Sequence, residues 1–248
     1  MSCIWLLYIA VLGTPSGAAV LAQPAGVSHV AAEPDALYAR RETLADAHHA
    51  AAIWAQRVEN NPRDFESAWK LARARYWLGG HALEAERKGL LEVGMAAARS
   101  AVRIQPDRPE GHFWIAANMG ALAESFGLRQ GLKYRKAIKA ELLTVLRLDA
   151  AFQQGSADRA LGRWYYKVPG MFGGSKERSE EHLRRSLAHS PNSTASHLFL
   201  AETLLDRGRR DEARAELQRV LDAPVDPEWA PEDREFKTKA AKLLAQLR

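Results

Sequence analysis

The chain has 248 residues, 47% of them hydrophobic and 26% charged, with a formal net charge of +5. That length fits one elongated array or one to two compact domains, and the apolar content is ample for a core, which excludes disorder beyond the N-terminus. One cysteine, Cys3, excludes an internal disulfide, and so modest a basic bias argues against nucleic acid as a partner.

The first charged residue is Glu33. Residues 4–13 form an apolar run, Pro15, Ser16 and Gly17 follow it, and Val20-Leu21-Ala22 then offers a small-x-small cleavage site ahead of Gln23-Pro24. This pattern reads as a secretory signal peptide over residues 1–22, cleaved after Ala22, with a flexible linker over 23–34. The run falls short of the roughly 20 residues of a membrane span. The expected location is the periplasm or cell envelope. No Lys or Arg precedes the run, which leaves two alternatives: a true start upstream, or an N-terminus that stays uncleaved as an anchor. Cleavage would remove Cys3, and with it thiol catalysis and cysteine-ligated metal sites. A lipid-modified cysteine would follow the apolar run, whereas Cys3 precedes it.

A helix over about 45–60 opens the remainder. Three residues after Pro62 comes Phe65, and Leu71-Ala72 then hold positions seven and eight of a unit. The same count runs from Pro106 through Pro109 to Ile115-Ala116, and from Pro191 through Thr194 to Leu200-Ala201. A further unit, after Ala150, needs two extra residues to bring Leu161-Gly162 into place. Each pair sets a large apolar residue beside a small one, which lets two helices approach closely. Second helices read back from the closing prolines over 94–106 with Ala101, 179–191 with Leu183 and 213–224 with Leu217. This is the helix–turn–helix repeat of about 34 residues of the tetratricopeptide kind.

Two units run long. Pro62 to Pro106 is 44 residues and Pro106 to Ala150 is 44 again, with the excess around 81–93 and 122–136. A third enlargement lies at 168–174. The added residues build one edge of the array into a rim or pocket wall, or they only lengthen helices; both readings stay open. After Pro224, a last helix carries Pro231, Glu232 and Asp233 in its first turn and Lys242 towards its end, an order that suits the helix dipole. The expected fold is all-α: a tetratricopeptide-like helical-hairpin solenoid over 35–224, with lengthened inter-helix segments and a C-terminal capping helix over 225–248.

No catalytic motif is present. Gly173-Gly174-Ser175-Lys176 lacks the spacing of a phosphate loop and reads as a turn with Ser175 as helix N-cap. His48 and His49 are adjacent and point about 100° apart on a helix, so they cannot share a metal. His112, His182, His189 and His197 have no partner at metal-binding spacing, and His112 and His197 share one repeat position, which favours packing. No catalytic residue, metal or cofactor is expected, and the chain reads as non-enzymatic.

Binding is the better-supported role. First-helix positions five, nine and twelve face the inner groove of such arrays. They are Trp69, Arg73 and Tyr76 in the first unit and include Arg163 and Tyr166 in the third. Rings and arginines there suit a partner peptide or an amphipathic anion. Asn118 and Glu124 are polar within an apolar stretch and read as internal hydrogen-bonding groups or as the lining of a polar path. Trp114 and Trp164 read as core. Arg129, Lys133, Arg135, Lys136, Lys139 and Arg147 form a solvated helix face or a surface for an acidic partner.

Two longer stretches are more specific: residues 111–124, beginning Gly111-His112-Phe113-Trp114-Ile115-Ala116, and residues 159–170, containing Leu161-Gly162-Arg163-Trp164-Tyr165-Tyr166. They resemble the T-component (TatT-like) family of tetratricopeptide proteins associated with TRAP transporters. They are also similar to the helical domain of the regulator of microtubule dynamics family. The similarity runs from about residue 45 to the C-terminus. The first resemblance implies a cell-envelope protein that partners a periplasmic solute-binding protein and passes on a small hydrophobic or carboxylate ligand. Members of that family are often lipoproteins, and this chain lacks the attachment cysteine in place. The rival expectation is a general envelope scaffold that grips peptide segments of partner proteins. A homo-oligomer is compatible with either.

Overall fold

Short polar side chains and prolines set where the helices begin. Asp64 accepts the Ser67 amide at 3.0 Å, Ser175 the Arg178 amide at 3.2 Å and Ser193 the Ser196 amide at 3.3 Å. Each satisfies a backbone donor that a helix start leaves free. Pro109 and Pro231 occupy first turns, where no amide hydrogen is needed.

A computed structural model describes residues 33–247. The signal peptide, its cleavage site, Cys3 and nearly all of the linker expected over 23–34 lie outside these residues. Eleven helices follow in order among the described residues: α1 (Pro34–Ala39), α2 (Leu44–Asn60), α3 (Phe65–His81), α4 (Glu84–Ile104), α5 (Pro109–Ser125), α6 (Gly127–Leu148), α7 (Phe152–Lys167), α8 (Lys176–His189), α9 (Thr194–Asp206), α10 (Arg210–Asp222) and α11 (Ala230–Gln246). A 3-10 turn, Gly170–Phe172, lies between α7 and α8. No helix among the described residues is long and apolar enough to cross a membrane.

The architecture is the all-α helical-hairpin solenoid expected from the repeats. Helices α3/α4, α5/α6, α7/α8 and α9/α10 pair as hairpins. The first helices also pack in succession, α3 on α5, α5 on α7, α7 on α9 and α9 on α11. They form an inner layer, which makes α11 both a cap and its last member. At Gly162 an added Cβ would stand 2.5 Å from Leu183 Cγ, so the glycine is what lets α7 lie against α8.

The added residues of the long units are spent in helix. Helices α4 and α6 run 21 and 22 residues against 14 and 13 for α8 and α10. The difference is about two turns. The two extra residues before Leu161-Gly162 sit in a left-handed turn at the start of α7, where Gln153, Gln154 and Gly155 have φ of 43°, 60° and 74°. Glutamine rarely adopts this conformation. Gln154 is held there by a bond to Asp226 at 3.0 Å and one from Ser190 at 3.0 Å.

The opening helix is not alone. The short α1 packs on α2, burying Leu37 and Tyr38. The segment that follows it reaches the far end of the chain. Arg41, only 2% exposed, donates to Glu232 at 3.1 Å and to the Glu228 carbonyl at 2.8 Å. Arg234 donates to Glu42 at 2.8 Å, and His81 meets Glu235 at 2.7 Å. These contacts tie α11 to the start of the array and close the inner layer on itself.

Candidate functional site: the inner groove

The inner layer presents positions five, nine and twelve of each first helix. In α3 they are Trp69, Arg73 and Tyr76. In α5 they are Phe113, Ala117 and Gly120, and in α7 Arg159, Arg163 and Tyr166. The middle of the groove is open at Gly120, where an added Cβ would meet nothing within 4 Å.

One end of the groove is already filled. The Arg73 guanidinium lies 4.2 Å from the Tyr38 ring centre and 5.0 Å from that of Trp69, with Asp35 at 3.7 Å. Lys70 donates to Asp35 at 2.9 Å. Helix α1 therefore sits against Arg73, whose side chain is left 12% exposed. Trp69 donates its indole N–H to Glu66 at 3.1 Å.

Tyr76 faces the open part. It is 39% exposed, yet desolvation pushes its phenol up to about 12. Solvent that reaches the ring from within a concave wall reconciles the two. Its ring packs 5.6 Å from that of Trp114, which is 3% exposed and keeps a buried indole N–H without a partner.

Glu124, Arg163 and Tyr166 form a connected set. Arg163 donates to Glu124 at 3.2 Å, pairs closely with Glu202 and stacks on Phe199 at 4.7 Å. Lys176 lies 3.5 Å above the Tyr166 ring and donates to Asp206 at 2.9 Å. Desolvation, reinforced by Asp206 and Glu202, pushes the Tyr166 phenol up to about 12.

Asn118 does not belong to this lining. It is fully buried, and its amide donates to the carbonyls of Ala72 at 3.2 Å and Trp114 at 2.8 Å. It ties α5 to α3, because the apolar faces of both helices close over it.

The residue that sequence reasoning passed over is Arg159. It is partly exposed, and its guanidinium makes no hydrogen bond or ion pair among the described residues. Desolvation lowers it to about 10, and Tyr76, Asp233 and Glu232 offset this only from a distance. Glu232 is engaged by Arg41, and Asp233 accepts from Thr194 at 2.5 Å and from the Asp226 amide at 2.8 Å. Arg41, Arg73 and Arg163 have acidic partners, and Arg159 is left as the surplus cation of the inner groove. The register holds the missing signal: with Leu161-Gly162 at seven and eight, Arg159 is position five.

Four histidines, His81, His112, His182 and His197, make bonds within the fold. His112 lies with Nδ1 2.6 Å from the Glu141 carboxylate and Nε2 2.9 Å from the Pro106 carbonyl; His197 lies with Nδ1 2.6 Å from the Glu216 carboxylate and Nε2 2.8 Å from the Pro191 carbonyl. The shared repeat position thus carries one recurring tie, which occupies both ring nitrogens. His182 pairs with Asp158 at 2.6 Å. Among the described residues, no group of three or more His, Cys, Asp or Glu could hold a metal ion.

A family model described as regulator of microtubule dynamics protein 1-3 matches residues 30–172, and a tetratricopeptide-repeat model matches residues 177–247. No curated protein matches the chain. The crystal structure of a thermophilic tetratricopeptide-repeat protein from Thermus thermophilus aligns with a TM-score of 0.64 and 22% identity, over 86% of this chain and 97% of that one. The crystal structure of MamA aligns with a TM-score of 0.49 and 16% identity, over 81% and 95%. The first of these likenesses carries the tetratricopeptide-like fold.

Proposed function

The chain belongs to the regulator of microtubule dynamics protein 1-3 family, and from that premise we propose that it is a non-enzymatic binding protein whose inner groove holds an acidic segment of a partner protein. The observation that carries this reading is Arg159. A desolvated guanidinium without a partner is costly to keep, and an incoming carboxylate would relieve the cost. Tyr76, 39% exposed and backed by the buried Trp114, adds an aromatic surface on the same wall, and Ala117 and Gly120 leave room for a backbone. Rigid rings and a planar cation are the groups that dominate partner recognition.

The test is site-specific photo-crosslinking in the source cell. A crosslinker at Gly120, in the groove, should capture a partner through a segment rich in Asp and Glu. One at Arg99, on the outer face of α4, should not. Equal capture from both positions, or a captured segment without acidic residues, would sink the reading.

A second reading is favoured by the same unpaired guanidinium together with the exposed Tyr76 ring. In it, the chain is exported, cleaved after Ala22, and serves as an accessory of TRAP-type solute uptake. A periplasmic solute-binding protein docks on it, and the groove takes a small hydrophobic carboxylate. It predicts a solute-binding protein as the captured species and a small acid released on denaturation.

A further inference from the structure

The added turns of α4 wall a second recess, between α2, α3 and α4. It has a volume of about 430 Å³ and is lined by His48 of α2, Arg75 of α3, and Glu86, Gly89, Leu90 and Val93 of α4. Four of the six lining residues come from the stretch by which α4 exceeds the repeat length. Cavities that hold small molecules span about 300–1,000 Å³, so this one lies at the small end.

Arg75 is the unusual group. Its Nε is buried without a partner, and its guanidinium makes no hydrogen bond or ion pair among the described residues. Desolvation holds it below the usual arginine range, with no carboxylate acting against that shift. Glu86 shares the lining without pairing to it. The backbone of α4 lies close by: a Cβ added at Gly94 would stand 3.0 Å from Arg75 Cβ. Gly89 leaves the mouth clear, since a Cβ added there would meet nothing within 4 Å. Val93 is 46% exposed and Leu90 is partly buried, so the wall is apolar where Arg75 is charged. A partly buried guanidinium without a counterion destabilises a fold that methionine would fill as well.

We propose that this recess binds a small organic anion, a carboxylate that pairs with Arg75 and lays a short apolar body against Leu90 and Val93. The site is independent of the groove, so either can fail alone. Guanidinium groups favour carboxylates through paired N–H donors, and the apolar wall selects against small inorganic anions.

The test is calorimetric titration of the full chain with hexanoate and benzoate, and with hexanol and benzyl alcohol as neutral counterparts. The carboxylates should bind at least about tenfold more tightly than the alcohols, the ratio that one modest charge-assisted contact gives. Arg75→Met should abolish binding while the unfolding temperature stays level or rises. Gly89→Trp should block the mouth with the fold intact, and Glu86→Gln should tighten binding by removing a competing carboxylate. Equal binding of acids and alcohols, or acid binding that survives both Arg75→Met and Gly89→Trp, would overturn the proposal. So would the absence of heat with either acid at millimolar concentration.

Discussion

From α1 to α7 the core is built around Trp54, Trp77, Trp114 and Trp164, with Tyr38, Phe113 and Tyr165 between them. From α8 to α11 it is leucine and alanine, with Leu183, Leu198, Leu204 and Leu217 fully or almost fully buried. Polar pins replace the rings there: Ser179 with Thr203 at 2.9 Å, Ser186 with Ser196 at 2.9 Å, and the buried His197–Glu216 pair. The family model and the generic repeat model divide the chain at nearly the same place, 30–172 and 177–247. The difference is physical. Leucine–alanine pairs repeat with the helix and produce interchangeable hairpins. Large rings cannot be repeated so closely, and they come with longer second helices, an added α1, the open stretch of groove and the Arg75 recess. What is particular to this protein therefore lies in its first seven helices, while the last four supply regular packing and the closing helix.

The sharpest way to break this contrast is to remove one side chain from each core. Trp54→Ala should cost about 3–5 kcal/mol, the range for deleting a buried large aromatic, read as a shift in urea unfolding. Hydrogen exchange should then rise in α1 to α3 before α8 to α11, and Leu217→Ala should reverse that order. Uniform loosening in both variants would show that the two regions are one energetic unit.

The closure comes next in size. Arg41→Met removes charge-assisted bonds to Glu232 and the Glu228 carbonyl and should cost about 1.5–3 kcal/mol. Exchange protection should fall at both α1 and the start of α11. Protection lost only at α1 would mean that the array is held by its hairpins alone.

The shared histidine position sharpens the comparison further. Double-mutant cycles should give about 1–3 kcal/mol for His197–Glu216, whose side chains are 7% and 6% exposed. His112–Glu141, at 13% and 28%, should give about 0.2–1 kcal/mol because solvent screens it. Equal couplings would contradict the burial argument.

The smallest effect is alkaline. Desolvation pushes Tyr38, Tyr76 and Tyr166, all in the first region, up to about 12 from an ordinary 10.0. Such a phenol keeps its proton in the folded state while the unfolded chain releases it, so the stability it lends is lost as pH rises from about 10 to about 12. Phenolate absorbance from these three should appear near 12 in the folded protein and near 10 in urea. A single transition near 10 in the folded protein would remove the concave-wall account of Tyr76.

Much of this fold was legible in the sequence. The counts from Pro62, Pro106 and Pro191 located three first helices, Ser175 marked the start of α8, and Pro231 marked the last helix. Local chemistry decides these features. Helix α1 was not legible, because six residues, with Pro34, Leu37 and Tyr38 buried, are too few to leave a periodic trace. Neither was the closure, since Arg41 and Glu232 lie 191 positions apart. The added stretch in α4 could have been read as helix, being rich in Glu, Leu and Ala. The groove was half legible. The register named Trp69, Arg73, Tyr76, Arg163 and Tyr166 and would have named Arg159 by the same count. Which arginine lacks a partner depends on α1, α9 and α11 arriving from elsewhere. Of the two readings open for Asn118, the structure supports the internal hydrogen bond, and the sequence left both standing because a polar residue in an apolar helix reads the same whether it faces a groove or a neighbouring backbone.

The most direct test of the groove reading is capture by a crosslinker at Gly120 in the native chain and in Arg159→Met, at equal protein level. The account predicts that capture falls at least about tenfold, as for loss of one desolvated ion pair, while Arg159→Met unfolds at the same or a higher urea concentration. Undiminished capture, or a variant that loses the partner only because it has lost stability, would show that Arg159 serves the fold and not the partner.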